Sequence, residues 1–260
     1  MKIAFFGAGQ IGSALIKGML HSNRISASEI YVKGGHSQTA ANLQKELGFQ
    51  LLTNLNDLFE MDLLVIATNN NNVLPILKSL PKTVLDKKIP IVSVAGGINL
   101  IEMTSVVGAD YPVAHCIPNT PVQVGAGVLG VSFTKNIQPE EKEFILKSLS
   151  PLGAVYEVAE DDLGIVGSIA GCTPAFVAML IESLGDAGVL HGLKRDLAYE
   201  LVEQMLQGTA TLALENKLHP AVLKDGVTSP GGSTIRGVAA LEANNFRHAL
   251  IAAIDATMSE

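Results

Sequence analysis

Met1-Lys2-Ile3-Ala4-Phe5-Phe6-Gly7-Ala8-Gly9-Gln10-Ile11-Gly12-Ser13-Ala14-Leu15-Ile16-Lys17-Gly18 carries three signals in succession. Residues 2–6 are an apolar run of strand length, Gly7, Gly9 and Gly12 stand at G-x-G-x-x-G spacing, and residues 13–20 repeat apolar side chains at helical intervals. In a strand, turn and helix that bind a dinucleotide, the first glycine allows the tight turn and the second lets backbone approach the pyrophosphate. The third lets the helix pack on the strand. Free N–H groups at the positive end of the helix then receive the diphosphate. The spacing by itself says little in a chain with 25 glycines. Its position between an apolar strand and a helix is what makes Gly7, Gly9, Gln10, Ile11 and Gly12 the first expected cofactor contacts.

Working outward, residues 29–33 read as a second strand and 37–47 as an amphipathic helix. An acid about 20 residues beyond the glycines would hold the 2′-hydroxyl of NAD. Here the strand ends Tyr31-Val32-Lys33-Gly34-Gly35-His36-Ser37 with no acid. Lys33, with His36 and Ser37 beside it, suits a 2′-phosphate, so NADPH is the expected cofactor, with NADH as the alternative. Residues 49–52 give a short third strand. Residues 62–67 give a nearly continuous apolar one, as a parallel strand covered on both faces should be. In an open α/β sheet ligands gather outside the carboxyl ends of the strands. Ala67, Thr68 and Asn69 are therefore expected at the cofactor, whereas Asn72 either touches a ligand or caps the next helix. Residues 89–94 form the fifth strand and deliver Ala95, Gly96 and Gly97 to the same end. Residues 113–117 continue the sheet into Pro118-Asn119-Thr120-Pro121, a turn fixed by two prolines whose Asn119 is counted with the cofactor group. Residues 122–132 and 155–158 read as further strands around a helix at 139–149, which opens on Pro139 with Glu140 and Glu141.

At 260 residues the chain has room for one large domain or two moderate ones, and with 48% hydrophobic residues it has ample material for a core. Net charge −7, from 18 basic and 25 acidic residues, argues against a nucleic-acid partner or an anionic membrane surface. Cys116 and Cys172 show no metal-ligand spacing and read as reduced thiols of a cytoplasmic protein. The run after Lys2 is only a strand long and lacks a small-residue cleavage site, so no export is expected. Residues 163–181 carry no charge and are long enough to suggest a membrane span. They also contain Gly164, Gly167, Gly171 and Pro174 and lack flanking basic or aromatic residues, which favours a helix buried at a protein interface.

From about residue 160 the pattern is helical, near 161–193, 196–218 and twice after Gly232, with Pro174 expected to bend or interrupt the first. Helices this apolar need more cover than they can give one another, so a homodimer through them is expected, with assembly beyond the dimer left open. The division implied is a dinucleotide-binding domain at 1–159 and a helical dimerisation and substrate-binding domain at 160–260. The fold class is α/β, a Rossmann-like, doubly wound, mostly parallel sheet followed by all-α structure. Val227-Thr228-Ser229-Pro230-Gly231-Gly232-Ser233-Thr234 precedes an apolar helix. Its hydroxyls and glycines suit either a pocket for a carboxylate or phosphate or a simple capped helix start, and spacing does not decide between them.

Taken together these residues resemble the pyrroline-5-carboxylate reductase family over essentially the whole chain. The most specific match is the block from His219 through Thr234 to Leu241-Glu242 and Phe246-Arg247. Ile117 to Pro121 with Val124-Gly125-Ala126-Gly127, and Ile181-Glu182 through Asp186-Ala187-Gly188-Val189, resemble further family segments. The resemblance implies reduction of 1-pyrroline-5-carboxylate to L-proline with NAD(P)H, the last step of proline biosynthesis. It also implies interlocking helical domains, and a substrate carboxylate held by Ser229, Pro230, Gly231, Gly232, Ser233 and Thr234, with Thr234 facing the ring nitrogen as the catalytic residue. The chain departs from the family pattern at Asn69 and Asn70, where lysine and proline are usual, and at His115, where arginine is usual. It departs again at Ile169 to Pro174. A paralogous reductase of another cyclic imine and a non-catalytic NADP(H) sensor are the competing readings. A hydroxy-acid dehydrogenase on the same plan would want a lysine on the long helix, and none lies between Lys147 and Lys194. His115 and His191 are candidates for acid work.

Overall fold

In the computed structural model, residues 1–35 and 37–258 are described, so the expectation for His36 lies outside the described residues. The chain divides into two compact units, Met1–Gly171 and Cys172–Glu260.

In the first unit, among the described residues, eight strands form one sheet in the order β3-β2-β1-β4-β5-β6-β7-β8. They are β1 Ile3–Phe6, β2 Ile30–Lys33, β3 Gln50–Leu51, β4 Leu63–Ile66, β5 Ile91–Ser93, β6 Val113–Pro118, β7 Gly127–Phe133 and β8 Gly153–Glu157. β1 to β6 are parallel, β7 runs antiparallel to β6 with Cys116 opposite Val131, and β8 is parallel to β7. Chain order reverses between β1 and β4, which lie side by side, and ligands of doubly wound sheets bind at such a reversal. The helices are α1 Gln10–His21, α2 Thr39–Leu47, α3 Asn70–Lys78, α4 Lys82–Lys87, α5 Leu100–Val107 and α6 Pro139–Leu149.

Successive side chains of β1 enter different cores, Ile3 and Phe5 one and Ala4 and Phe6 the other. All four are buried, as a strand covered on both faces requires. α6 begins on Pro139, where the missing N–H is no loss, with a reciprocal Gln138 and Glu141 cap. One expectation needs correcting. The strand read at residues 122–132 begins only at Gly127, because Thr120–Val124 is a 3₁₀ turn. Pro121 suits the first turn of a helix, Gly125 at φ 71° ends it, and Val122 is fully buried, so the alternation belongs to a packed turn and not to a pleat.

In the second unit the helices are α8 Thr173–Leu190, α9 Arg195–Asn216, α10 Pro220–Gly226, α11 Ser233–Ala243 and α12 Phe246–Met258. The short α7 Leu163–Val166 and a π segment Gly167–Cys172 lead into α8. The interruption expected at Pro174 is this π segment. In an unbroken α-helix the Ala170 carbonyl would receive the N–H of residue 174, which a proline does not have. Asn119 Nδ2 donates to that carbonyl at 3.0 Å instead. α8 and α9 pack together through Gly185, where a side chain would strike the Tyr199 ring. Arg195 clamps the pair, donating to Asp186 at 2.6 Å and to the Tyr199 hydroxyl at 2.9 Å. Very little is buried otherwise: Gly185 in α8, Ala198 in α9 and nothing in α11 or α12. Met179, Leu190, Leu201, Met205, Leu214 and Ile251 are all exposed. The helical run Glu160–Leu190 has 31 residues, contains an 18-residue stretch of mean hydropathy 1.9, and is long and apolar enough to cross a membrane.

α1 rests on the 3₁₀ turn at Gly18, where a Cβ would collide with the Val122 carbonyl and come within 2.7 Å of Leu152 Cδ2. Glycine to alanine in an open helix normally stabilises by about 1 kcal/mol. Gly18→Ala should instead destabilise by about 1–3 kcal/mol through overpacking and lower the thermal midpoint by about 2–10 °C. Differential scanning calorimetry checks the sign, and a raised midpoint would contradict this packing.

Candidate active site

The turn after β1 has the geometry its glycines were expected to give. Gly7 has φ 103° and no room for a side chain beside the Ala67 carbonyl, and a Cβ at Gly12 would lie 2.6 Å from the Gly7 carbonyl oxygen. Gly9 is the opposite case. It is the N-cap of α1 at φ −68°, an ordinary angle, and a Cβ there would meet nothing within 4 Å. Open space on that side is what a ligand approaching the backbone requires. No side chain caps the first turn of α1, so its N–H groups are left for an anion.

Beside this turn lies a cavity of about 580 Å³ lined by Gly7, Ala8, Gly9, Gln10, Ile11, Gly34, Gly35, Ser37, Thr39, Ala40, Ala67, Thr68, Asn69 and Asn72. Its size suits a small-molecule or cofactor site. A second cavity of about 340 Å³ shares Gly7, Gly34, Gly35, Thr68 and Asn72 with it and adds Lys33, Leu55 and Ser79. The turn, the end of β2 and the end of β4 are thus brought together. The residues present fit a dinucleotide, with the open cradle at Gly9 for the diphosphate and no acid among the residues that line either cavity. Lys33 borders the second cavity, while Ser37 borders the first with Thr39, to whose Oγ1 it donates at 3.1 Å. Asn72 lies inside α3 and caps nothing; Asn69 is the N-cap position, without a side-chain bond.

Ala95 and Gly96 follow β5 at the same end of the sheet but line neither cavity. Their loop is tied to the β4 end by Asn70, whose Oδ1 accepts from Gly97 N at 3.2 Å. His115 on β6 is 4% exposed, with Nε2 at 3.1 Å from the Ala95 carbonyl and Nδ1 at 3.2 Å from Glu160 Oε1. Asn119 also lines neither cavity, and its amide is engaged at both ends, Nδ2 with Ala170 O and Oδ1 accepting from Val128 N at 2.9 Å. Cys116 and Cys172 are free, the first buried and the second half-buried. Burial pushes the Cys116 thiol up, away from any nucleophilic role. His191 ends α8 in an exposed position.

In the second unit, Ser229, Pro230, Gly231 and Gly232 form a turn closed by Gly232 N donating to Ser229 O at 3.0 Å, and Ser233 and Thr234 open α11. Gly231 has φ 69°, and Arg236 donates to its carbonyl at 3.1 Å. α11 starts at Gly232 without a side-chain cap, and Ser229, Ser233 and Thr234 are exposed. The loop therefore does not work as a capped helix start. Sequence reasoning missed Thr39, whose signal was a hydroxyl at the start of the helix after β2, and Gly34 and Gly35, a glycine pair following a strand. Asn70 had no signal beyond its place in an asparagine run and its departure from the family pattern.

A doubly wound sheet with this cradle, joined to an apolar helical unit, defines a dinucleotide-dependent oxidoreductase. Residues 160–260 match the family described as pyrroline-5-carboxylate reductase dimerisation, and residues 2–97 match NADP oxidoreductase coenzyme F420-dependent. The chain is 32% identical over 260 residues to the pyrroline-5-carboxylate reductase of Escherichia coli, covering 100% of this chain and 96% of that one. It is 34% identical over 264 residues to the enzyme of Treponema pallidum, covering 100% and 99%. The crystal structure of Plasmodium falciparum pyrroline carboxylate reductase with NADP bound aligns at TM-score 0.85 and 30% identity, covering 99% of this chain and 95% of that one. The chain belongs to the pyrroline-5-carboxylate reductase family.

Gly9→Val separates the cradle from the fold. With nothing near a Cβ and an unstrained backbone, it should change stability by no more than about 1 kcal/mol. A branched side chain in the diphosphate's place should weaken NADPH binding at least about tenfold, about 1.4 kcal/mol. Fluorescence titration measures this, and unchanged affinity would remove the cradle from the cofactor site.

Proposed function

We infer that the chain reduces 1-pyrroline-5-carboxylate to L-proline with NADPH, closing proline biosynthesis. The observation that carries the reading is one continuous chain in which the open glycine cradle is followed by the Val227 to Thr234 block, at family-level identity to named reductases over its whole length. Bound reduced nicotinamide supplies the hydride. The protein's part is to hold and orient, since a protonated cyclic imine is already an electrophile. Gly7, Gly9, Gln10, Ile11 and Gly12 take the diphosphate on backbone, Lys33 with Ser37 takes the 2′-phosphate, and Ala67, Thr68, Asn69, Ala95 and Gly96 border the rest of the cofactor. Asn119 acts there through the backbone it fixes, its side chain being used within the protein. Ser229 to Thr234 receive the substrate carboxylate on hydroxyls and N–H groups left uncapped at the start of α11. The Thr234 hydroxyl bonds the ring nitrogen, and solvent delivers the proton.

The exposed apolar faces of α8, α9, α11 and α12 are assigned to a second copy of the chain and not to lipid. The helical run holds Gly164, Gly167, Gly171 and Pro174, and residues 160–260 match a dimerisation family. This gives a homodimer, with association of dimers as a further step, in the cytoplasm, where two free thiols are at home.

Steady-state NADPH oxidation with pyrroline-5-carboxylate, and with a ring analogue lacking the carboxylate, tests the reading. Activity with the first and little with the second is expected. Thr234→Ala should lower kcat/KM tenfold or more, since a hydrogen bond to a charged group is worth roughly 1.5–3 kcal/mol, and leave NADPH affinity nearly unchanged. Unaltered kinetics in the folded variant would remove the carboxylate loop from the site. Lys33→Ala should weaken NADPH and leave NADH nearly unchanged, and equal losses would defeat the 2′-phosphate assignment.

A further inference from the structure

The loop after β5 is held by more side-chain bonds than its length explains. Ala95, Gly96 and Gly97 present backbone at the carboxyl end of the sheet, next to the end of β4. Ala95 N donates to Ser93 Oγ at 3.4 Å, the Ala95 carbonyl accepts from His115 Nε2 at 3.1 Å, and Gly97 N donates to Asn70 Oδ1 at 3.2 Å. Just beyond the loop, Leu100 N donates to Glu160 Oε1 at 2.6 Å, and the same oxygen lies 3.2 Å from His115 Nδ1. Glu160 is thus a common acceptor for the far end of the loop and for the ring that grips its near end. A side chain at Gly97 would collide with the Asn70 amide, so the two walls meet with no spare room.

His115 sits between Ser93 on β5 and Ser132 on β7, both buried. Neither neighbour carries charge, so Glu160 is the ring's one charged partner among the described residues. Both ring nitrogens face an acceptor, so both bonds form with a hydrogen on each nitrogen, or with the shared hydrogen on the carboxyl. An aromatic side chain of similar size would fill the space, leave the buried Ala95 carbonyl without a donor, which is costly, and leave the half-buried Glu160 carboxylate with Leu100 N alone.

We propose that Asn70, His115 and Glu160 are positioning residues, a clasp that fixes the Ala95–Gly97 loop against the β4 end so that the cofactor's reactive ring is held for hydride transfer. This rests on the assignment of Ala95 and Gly96 to the cofactor. None of the three lines the cavity beside the diphosphate cradle. Losing the clasp should loosen the loop and slow the chemical step while leaving the two binding ends as they were.

The experiment compares His115→Phe, which keeps the bulk and removes the donors, with His115→Arg, which restores two donors. Hydrogen exchange is followed over residues 95–100 in the protein without cofactor, and steady-state kinetics are measured beside it. Phe should raise exchange in that segment and lower kcat about tenfold, with KM for pyrroline-5-carboxylate and affinity for 2′-phospho-ADP-ribose changed less than about threefold; Arg should recover most of both losses. A Phe variant equal to wild type, or an Arg variant no better than Phe, would overturn the clasp. If His115→Phe does not fold, Asn70→Ala at an exposed position takes its place, and protection of Gly97 retained with full kcat would overturn the proposal equally. Should the wild-type protein fail to reduce pyrroline-5-carboxylate, the functional reading falls, and the exchange measurements still decide whether the clasp holds the loop.

Discussion

Everything in the first unit depends on how closely β1, α1 and the end of β4 approach one another. Gly7 lies against the Ala67 carbonyl and Gly12 against the Gly7 carbonyl, with no Cβ tolerated at either place. That approach sets α1 directly over the strand order reversal and leaves its first turn uncapped beside the cavity. The strand order reversal, the cavity and the uncapped helix start meet at one short turn. The same helix must lie flat on the 3₁₀ turn at 120–124, which is why Gly18 faces the Val122 carbonyl. The turn in turn holds Asn119, whose amide reaches the carbonyl that Pro174 cannot serve. Packing demands at one glycine thus extend, contact by contact, to the π segment at the end of the unit.

The second unit is governed by what it fails to cover. A helical unit that buries Gly185 and Ala198 and leaves Met179, Leu201 and Ile251 in the open is incomplete as a folded body in water. A symmetric partner supplies the same apolar surface and is the economical completion. The start of α11, without a side-chain cap, likewise leaves backbone N–H groups open in this unit.

Local features were legible in the sequence. The glycine turn, the apolar strands and the Pro139 start of α6 are short-range patterns in which each residue's role is fixed by neighbours within a few positions. The 3₁₀ turn at 120–124 was misread because alternating apolar residues fit both a pleat and a packed turn, and Gly125 decided it. α10 was passed over at seven residues, although Pro220 at its first turn and His219 accepting from Ala221 N mark its start. The clasp was not legible at all. Asn70 and Gly97 are 27 positions apart, His115 is 20 from Ala95 and 45 from Glu160, and strand periodicity does not say which strands become neighbours. The resemblance to a known family flagged His115 and Asn70 as departures without saying what they hold.

The central claim is that this chain moves hydride from a nicotinamide to the imine carbon of pyrroline-5-carboxylate. Mass spectrometry of proline formed from NADPH deuterated at the reactive C4 position tests it most directly. The account predicts one deuterium in proline, at the carbon that was doubly bonded to nitrogen. Proline without deuterium from either face-labelled cofactor, or no proline, would contradict it.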